Sequence, residues 1–150
     1  MGRKTCFLMG NRYAPQSIKG ELAEIIEQHI TDYGVNTFIV GKYGNFDQLA
    51  KGVLRESKHK HADIELLLLA PYALIQPVDT PEGFDGALFP DGLETVPKLL
   101  AIVQANKFMV ERSEYLIAYC RNPAGNTQKI VDYAKRREKK GLIKVTLLNS

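Results

Sequence analysis

Three short segments of this chain place glycine beside an amide, a hydroxyl or a cation, a combination able to hold an anion. The first is Gly10-Asn11-Arg12-Tyr13. Gly10 allows a close backbone approach, and the Arg12 guanidinium can fork onto phosphate or carboxylate oxygens. The second is Gly41-Lys42-Tyr43-Gly44-Asn45-Phe46-Asp47, where two glycines precede a predicted helix and leave backbone N–H groups free to face an anion. Gly41, Tyr43, Gly44 and Asp47 are its candidate contacts. The segment is neither the three-glycine dinucleotide fingerprint nor a P-loop, because no Ser or Thr follows Lys42. The third is Arg121-Asn122-Pro123-Ala124-Gly125-Asn126-Thr127, in which Gly125 opens a helix and Asn126 or Thr127 serves as its N-cap. Each segment taken alone also reads as an ordinary turn with good capping chemistry; their common place after strands is what joins them.

Other chemistry-bearing residues read as structural. His59 and His61 lie in the basic stretch Lys58-His59-Lys60-His61 at a helix C-terminus, where a cation complements the helix dipole and water reaches the ring. His29 stands alone on a helix. No spacing of His, Cys, Asp or Glu makes a metal-ligand set. The run Lys135-Arg136-Arg137-Glu138-Lys139-Lys140 closes the last helix and reads as a solvated face. Cys6 and Cys120 fall inside apolar strands and read as buried thiols, with no nucleophile elbow around either. The acids Asp79, Glu82, Asp85, Asp91 and Glu94 form no pair at helical spacing.

The elements that would position the three segments follow from periodicity. Strands are predicted at Thr5 to Met9, a compact apolar run, at Thr37 to Val40, β-branched and aromatic, and at Ile64 to Ala70, Glu114 to Cys120 and Leu142 to Leu148. Ile64 to Ala70 is apolar without alternation, as expected for a strand covered on both faces. Between them, 3.6-residue periodicity predicts helices over Ser17 to Tyr33, from Asn45, over Val96 to Arg112, and from Gly125 onward. Residues 71 to 97, rich in proline, glycine and acid, form the irregular part, a length of connection that is usually a functional lid, a partner surface or a mobile loop. Alternating strands and helices predict one α/β domain over residues 1–150, a three-layer, Rossmann-like sandwich around an open five-stranded parallel sheet. In such sheets ligands sit beyond the carboxyl ends of the strands, which is where all three segments fall.

Composition agrees with a folded domain: 150 residues, 45% hydrophobic, 25% charged and a net charge of +3. That charge is small for a nucleic-acid binder. No apolar run reaches the length of a membrane span, and the segment after Met1 lacks the features of a signal peptide, so the expected location is cytoplasmic.

The succession of these segments resembles the SLOG superfamily, which unites the DNA-processing protein A family, the LOG phosphoribohydrolases and the YpsA-like proteins. Val40-Gly41-Lys42-Tyr43-Gly44-Asn45-Phe46-Asp47-Gln48-Leu49-Ala50 resembles its second motif, a glycine turn leading to an aspartate and then an alanine. The YpsA-like branch fits best. Its Gly-His-Arg turn is matched by Gly10-Asn11-Arg12, its later helix by Asn106-Lys107-Phe108-Met109-Val110-Glu111-Arg112-Ser113, and its next strand by Tyr115-Leu116-Ile117-Ala118-Tyr119. Asn11 stands where that branch has histidine. The LOG motif Pro-Gly-Gly-x-Gly-Thr-x-x-Glu has as its counterpart Asn122-Pro123-Ala124-Gly125-Asn126-Thr127-Gln128-Lys129-Ile130, without the glycine pair and the glutamate.

The resemblance implies a Rossmann-like fold, a nucleotide-type small-molecule ligand and pairing into a homodimer, and it leaves activity open. The leading expectation is a binding or sensing domain that needs no resident cofactor. Its phosphate would lie on the Gly41–Gly44 and Gly125–Thr127 loops with Arg12, and Asp47 or Asn106 would bond a ribose hydroxyl or base. The alternative is a nucleotide N-glycosidase or phosphoribohydrolase using Glu111 or a loop acid; the third is a DNA-handling module.

Overall fold

A computed structural model describes residues 3–42, 44–70, 83–90, 92–93, 96–121 and 125–149. Among them, six strands form one wholly parallel sheet: β1 (Thr5–Gly10), β2 (Thr37–Val40), β3 (Glu65–Leu69), β4 (Gly86–Leu88), β5 (Tyr115–Tyr119) and β6 (Lys144–Leu147). The helices are α1 (Lys19–Thr31), α2 (Gly44–Lys60), α3 (Lys98–Arg112) and α4 (Asn126–Lys139), with a 3-10 turn at Gln16–Ile18 ahead of α1.

The α/β, Rossmann-like sandwich expected from the sequence is present, with six strands in place of five. The added strand, β4, pairs with β3 from Leu67↔Gly86 to Leu69↔Leu88 at the edge of the sheet. Its sequence, Gly-Ala-Leu, has little intrinsic strand preference, and three residues are too few to show a period. Pairing is enforced from outside the strand. The Asp85 N–H donates to the Leu66 carbonyl at 2.8 Å, and the Asp85 carboxylate accepts from the Leu66 N–H and the Lys58 ammonium. Burial pushes the Asp85 carboxyl upward, but these donors outweigh it and hold it below the usual range. Asp85, one of the acids weighed for chemistry, is thus a clamp for the edge strand.

Side chains alternate across the central strands and divide the core in two. Cys6, Leu8, Phe38, Val40, Leu66 and Leu68 pack under α1 and α2 against Leu22, Ile26, Phe46 and Leu54. Phe7, Met9, Ile39, Leu67, Leu69 and Leu116 pack under α3 and α4 against Ala101, Ala105, Met109 and Val131. Both faces are apolar, hence the unbroken hydrophobic runs in the sequence. The strand order β4-β3-β2-β1-β5-β6 places the reversal of direction between β1 and β5. Gly10 and Tyr119 are register partners at the carboxyl ends of those two strands.

Two expectations about polar residues change in the structure. Cys6 is fully buried, and burial drives its thiol pKa upward; Cys120 instead lies one residue past β5, half-buried, and its Sγ donates to Gln128 Oε1 at 3.2 Å. His61 is not merely solvated, since its Nε2 pairs with the Glu27 carboxylate at 3.0 Å.

His29 is fully buried near the amino edge of the sheet, with its ring edge-on to Tyr33 and Tyr115 at 5.0 and 5.5 Å. Its Nδ1 contacts the Ile25 carbonyl at 2.8 Å, and a carbonyl only accepts, so Nδ1 carries the proton. Nε2 has no partner. Burial lowers the His29 pKa, the Ile25 carbonyl offsets this in part, and the Lys144 ammonium lowers it further. The unfolded chain therefore binds the proton more readily than the native one. The contribution of His29 is fully present above about pH 6.5 and is lost as the pH falls toward the depressed native value. Urea unfolding at pH 7.5 and pH 5.5 should show this loss in the native sequence and a flatter dependence in His29→Leu; equal slopes would assign the loss to other groups.

Candidate functional site

The loops after β1, β2 and β5 meet at the carboxyl edge, and two residues of the first loop tie them together. The Asn11 N–H donates to the Tyr119 carbonyl at 3.1 Å, and the Asn11 side-chain carbonyl accepts the Arg121 N–H at 2.6 Å. Next to it, the Arg12 carbonyl accepts the Asn45 N–H at 2.7 Å. The β1 loop is therefore fastened to the β5 loop by Asn11 and to the start of α2 by Arg12.

Two of the glycines serve this closeness. A Cβ on Gly10 would overlap the ring of Phe46, whose side chain fills the space beneath the loop. Gly44 has φ +88°, and a Cβ there would stand 2.7 Å from the Arg12 Cα. These positions need glycine for protein–protein packing alone.

Above the strand ends lies a cleft of about 210 Å³. One wall is the α3 stripe Leu99, Ile102, Val103 and Asn106, set by helical spacing; Gly10, Arg12, Gly41 and Asp47 form another, and Asn126 and Thr127 close it from α4. The structure thus brings Gly10, Arg12, Gly41, Asp47, Asn106, Asn126 and Thr127 to one site. Gly44 supports it from behind Arg12. Asn11, Arg12, Tyr13, Tyr119, Arg121 and Thr127 line a neighbouring chamber of about 370 Å³. Tyr43 lies outside the described residues, as do Asp79, Glu82, Asp91, Glu94 and most of the connection read as a lid.

Charge is unevenly distributed here. Asp47, buried in the first turn of α2, is the one carboxylate lining the cleft among the described residues, and its Oδ2 would lie 3.0 Å from a Cβ on Gly41. The nearby Lys51 has its pKa lowered by burial, which the Asp47 charge only partly offsets, while Arg55 and Lys42 lower it further. Arg12 and Arg121 are both exposed, and neither guanidinium has a hydrogen-bond or ion-pair partner among the described residues.

The N-terminus of α4 corrects one expectation. Its N-cap is Gly125, in extended conformation and with no side-chain cap bond, while Asn126 and Thr127 are the first helical residues. Their N–H groups belong to the turn that a helix cannot satisfy internally. At α2 the situation is reversed, because the Asn45 N–H is occupied by Arg12 and Asp47 adds a negative charge to the first turn.

Glu111, weighed as a catalytic acid, is at the wrong end of the molecule. It sits in the last turn of α3, just ahead of β5 and so at the amino edge, where Tyr133 donates to its carboxylate at 2.6 Å and has its own pKa raised by that bond. The basic run of α4 is also at that edge, with Arg136 and Arg137 over the Tyr133 ring. Among the described residues no three His, Cys, Asp or Glu converge as a metal site, and no helix is long and apolar enough to cross a membrane.

Sequence reasoning missed the apolar wall of α3, because Leu99, Ile102 and Val103 are indistinguishable by spacing from core residues. Tyr13 and Arg121 fall inside the first and third segments without being among the candidate contacts, although Arg121 follows β5 directly and obeys the rule that located Arg12.

Fold and cleft together define a Rossmann-like α/β protein whose candidate site is the switch point of its parallel sheet. The chain matches no protein-family model, and no curated protein matches it in sequence.

The packing argument makes two opposite predictions within α2. Gly44→Ala should destabilise the fold by about 1–3 kcal/mol, from the left-handed backbone and the contact with Arg12. Gly52→Ala, with nothing within 4 Å of its Cβ, should stabilise by roughly 0.5–1 kcal/mol as a helix-interior glycine replaced by alanine. Chemical denaturation of both variants checks the pair, and a harmless Gly44→Ala would contradict the packing role given to that residue.

Proposed function

We propose that the cleft binds a phosphate-bearing nucleotide or nucleotide-derived ligand, and that the chain acts as a binding or sensing domain of the SLOG type. The observation that carries this reading is the meeting of unlike surfaces at one strand edge. An apolar wall of Leu99, Ile102 and Val103 suits a base, and Asn106 and Asp47 suit uncharged polar groups of a base or ribose. Arg12 and the uncapped start of α4 suit a phosphate. Small-molecule sites generally join a mostly apolar lining to a few directional polar groups. The order of motifs resembling the SLOG superfamily supports the same ligand class.

Of the two glycine loops, the one before α4 is the better seat for phosphate. A carboxylate about 4 Å from a phosphate charge costs on the order of 4 kcal/mol at an effective dielectric near 20. A helix N-terminus returns only about 0.3–1 kcal/mol. Asp47 therefore reserves the α2 side of the cleft for hydroxyls and ring nitrogens.

A thermal-shift panel of nucleoside monophosphates, nucleoside diphosphates, NAD and ADP-ribose tests the reading. A ligand at about 100 times its Kd adds roughly 2.7 kcal/mol, or about 5–10 °C for a domain of this size. Arg12→Ala should lose most of that shift while keeping the melting temperature of the free protein. Should no member of the panel raise the melting temperature at millimolar concentration, the nucleotide reading fails.

A further inference from the structure

The main cleft is too small to hold a nucleotide alone. Its volume of about 210 Å³ falls under the roughly 300–1,000 Å³ of small-molecule sites. The neighbouring chamber of about 370 Å³ shares Arg12 and Thr127 with it, so the two are adjacent and Arg12 lines both. Their linings differ in character. The cleft is walled by aliphatic side chains and holds the Asp47 carboxylate. Among the described residues no acid lines the chamber; Arg12 and Arg121 line it with Asn11, and Tyr13, also in its lining, is 82% exposed.

We propose that the ligand carries two linked phosphates, the second held in this side chamber by Arg121. The inference rests on the cleft reading above and goes beyond it by naming a nucleoside diphosphate, or a longer ligand containing that group, as the preferred class. Arg12, shared by both spaces, meets the phosphate nearer the nucleoside. Arg121, which lines the side chamber alone, meets the farther one. Two forked cations with no protein partner among the described residues can each take two oxygens of a phosphate group, a geometry lysine does not provide. The loop that carries Arg121 is held by its backbone, since the Arg121 N–H donates to Asn11 Oδ1 at 2.6 Å. The guanidinium is thereby placed without being occupied.

Titration calorimetry of the full chain with the mono- and diphosphates of adenosine, guanosine, cytidine and uridine tests the assignment. For at least one base the diphosphate should bind tenfold or more tightly than the monophosphate. Arg121→Ala should weaken that diphosphate by roughly ten- to hundredfold, the range for a charged hydrogen bond, and leave the monophosphate within about twofold. Arg12→Ala should weaken both. Arg121→Gln, which keeps length and polarity, should behave like Arg121→Ala; because the bond to Asn11 is made by the backbone, circular dichroism of both variants should match the native protein. If mono- and diphosphates bind alike, or if Arg121→Ala weakens both equally or neither, the side chamber is not a phosphate subsite and the cleft reading stands without it. If none of the eight nucleotides binds the native chain, and neither NAD nor ADP-ribose does, the cleft reading fails and takes this inference with it.

Discussion

The carboxyl edge of this sheet depends on a junction made by two adjacent residues. Strands β1 and β5 lie side by side, but the chain reaches β5 only after traversing β2, β3 and β4, so nothing in the local sequence brings their loops together. Asn11 does so twice, giving its N–H to Tyr119 and its side-chain carbonyl to Arg121, and Arg12 adds the bond to Asn45 at the start of α2. Each such bond contributes about 1 kcal/mol. Their larger effect is geometric, because they fix where three loops stand relative to one another. The packing beneath follows: Phe46 can seat under the loop only because Gly10 has no Cβ, and α2 can start against Arg12 only because Gly44 adopts positive φ. The same residue that was expected to contact ligand through its charge thus also organises the site through its backbone.

This junction also decides where charge lies. With the Asn45 N–H engaged and Asp47 in the first turn, the start of α2 offers little to an anion. The start of α4 has no such occupant among the described residues. Two helix N-termini that look alike in sequence, each preceded by glycine, are electrostatically opposite in the folded chain. The difference comes from one hydrogen bond, which occupies an N–H, and one carboxylate, whose repulsion of an anion exceeds what the helix dipole returns.

The layered fold was legible because both sheet faces are buried: strands such as Ile64 to Ala70 carry no polar alternation to confuse with a surface hairpin. The convergence of the three candidate segments on one cleft was legible for a related reason, since parallel strands send all their following loops to one edge. What lay beyond the sequence were effects that act across distance. Strand β4 is held by Asp85, Leu66 and Lys58, and its own Gly-Ala-Leu carries no signal. The N-cap of α4 moved from Asn126 or Thr127 to Gly125 because capping depends on backbone conformation at a position where all three residue types are acceptable. The placement of Glu111 could have been foreseen. A residue in the last turn of a helix that leads directly into a parallel strand must lie at the amino edge, far from the cleft at the carboxyl edge, whatever its chemical suitability.

The apolar wall and the arginines are coupled by the solvent between them. At a wet surface an ion pair with Arg12 would contribute only about 0–1 kcal/mol. The side chains beside it, Ile102, Val103 and the 73%-exposed Leu99, do not bond a phosphate, but they can hold an apolar ring. A ligand ring laid against them displaces water from the space that Arg12 shares, and the local dielectric falls as it does so. The charge-assisted bonds then strengthen. A free phosphate brings no ring and leaves Arg12 hydrated, while an uncharged nucleoside brings the ring and leaves the guanidinium unpaired. Under the proposed function, the cleft would therefore favour molecules that possess both ends over either end alone, and by more than the sum of the two separate contacts.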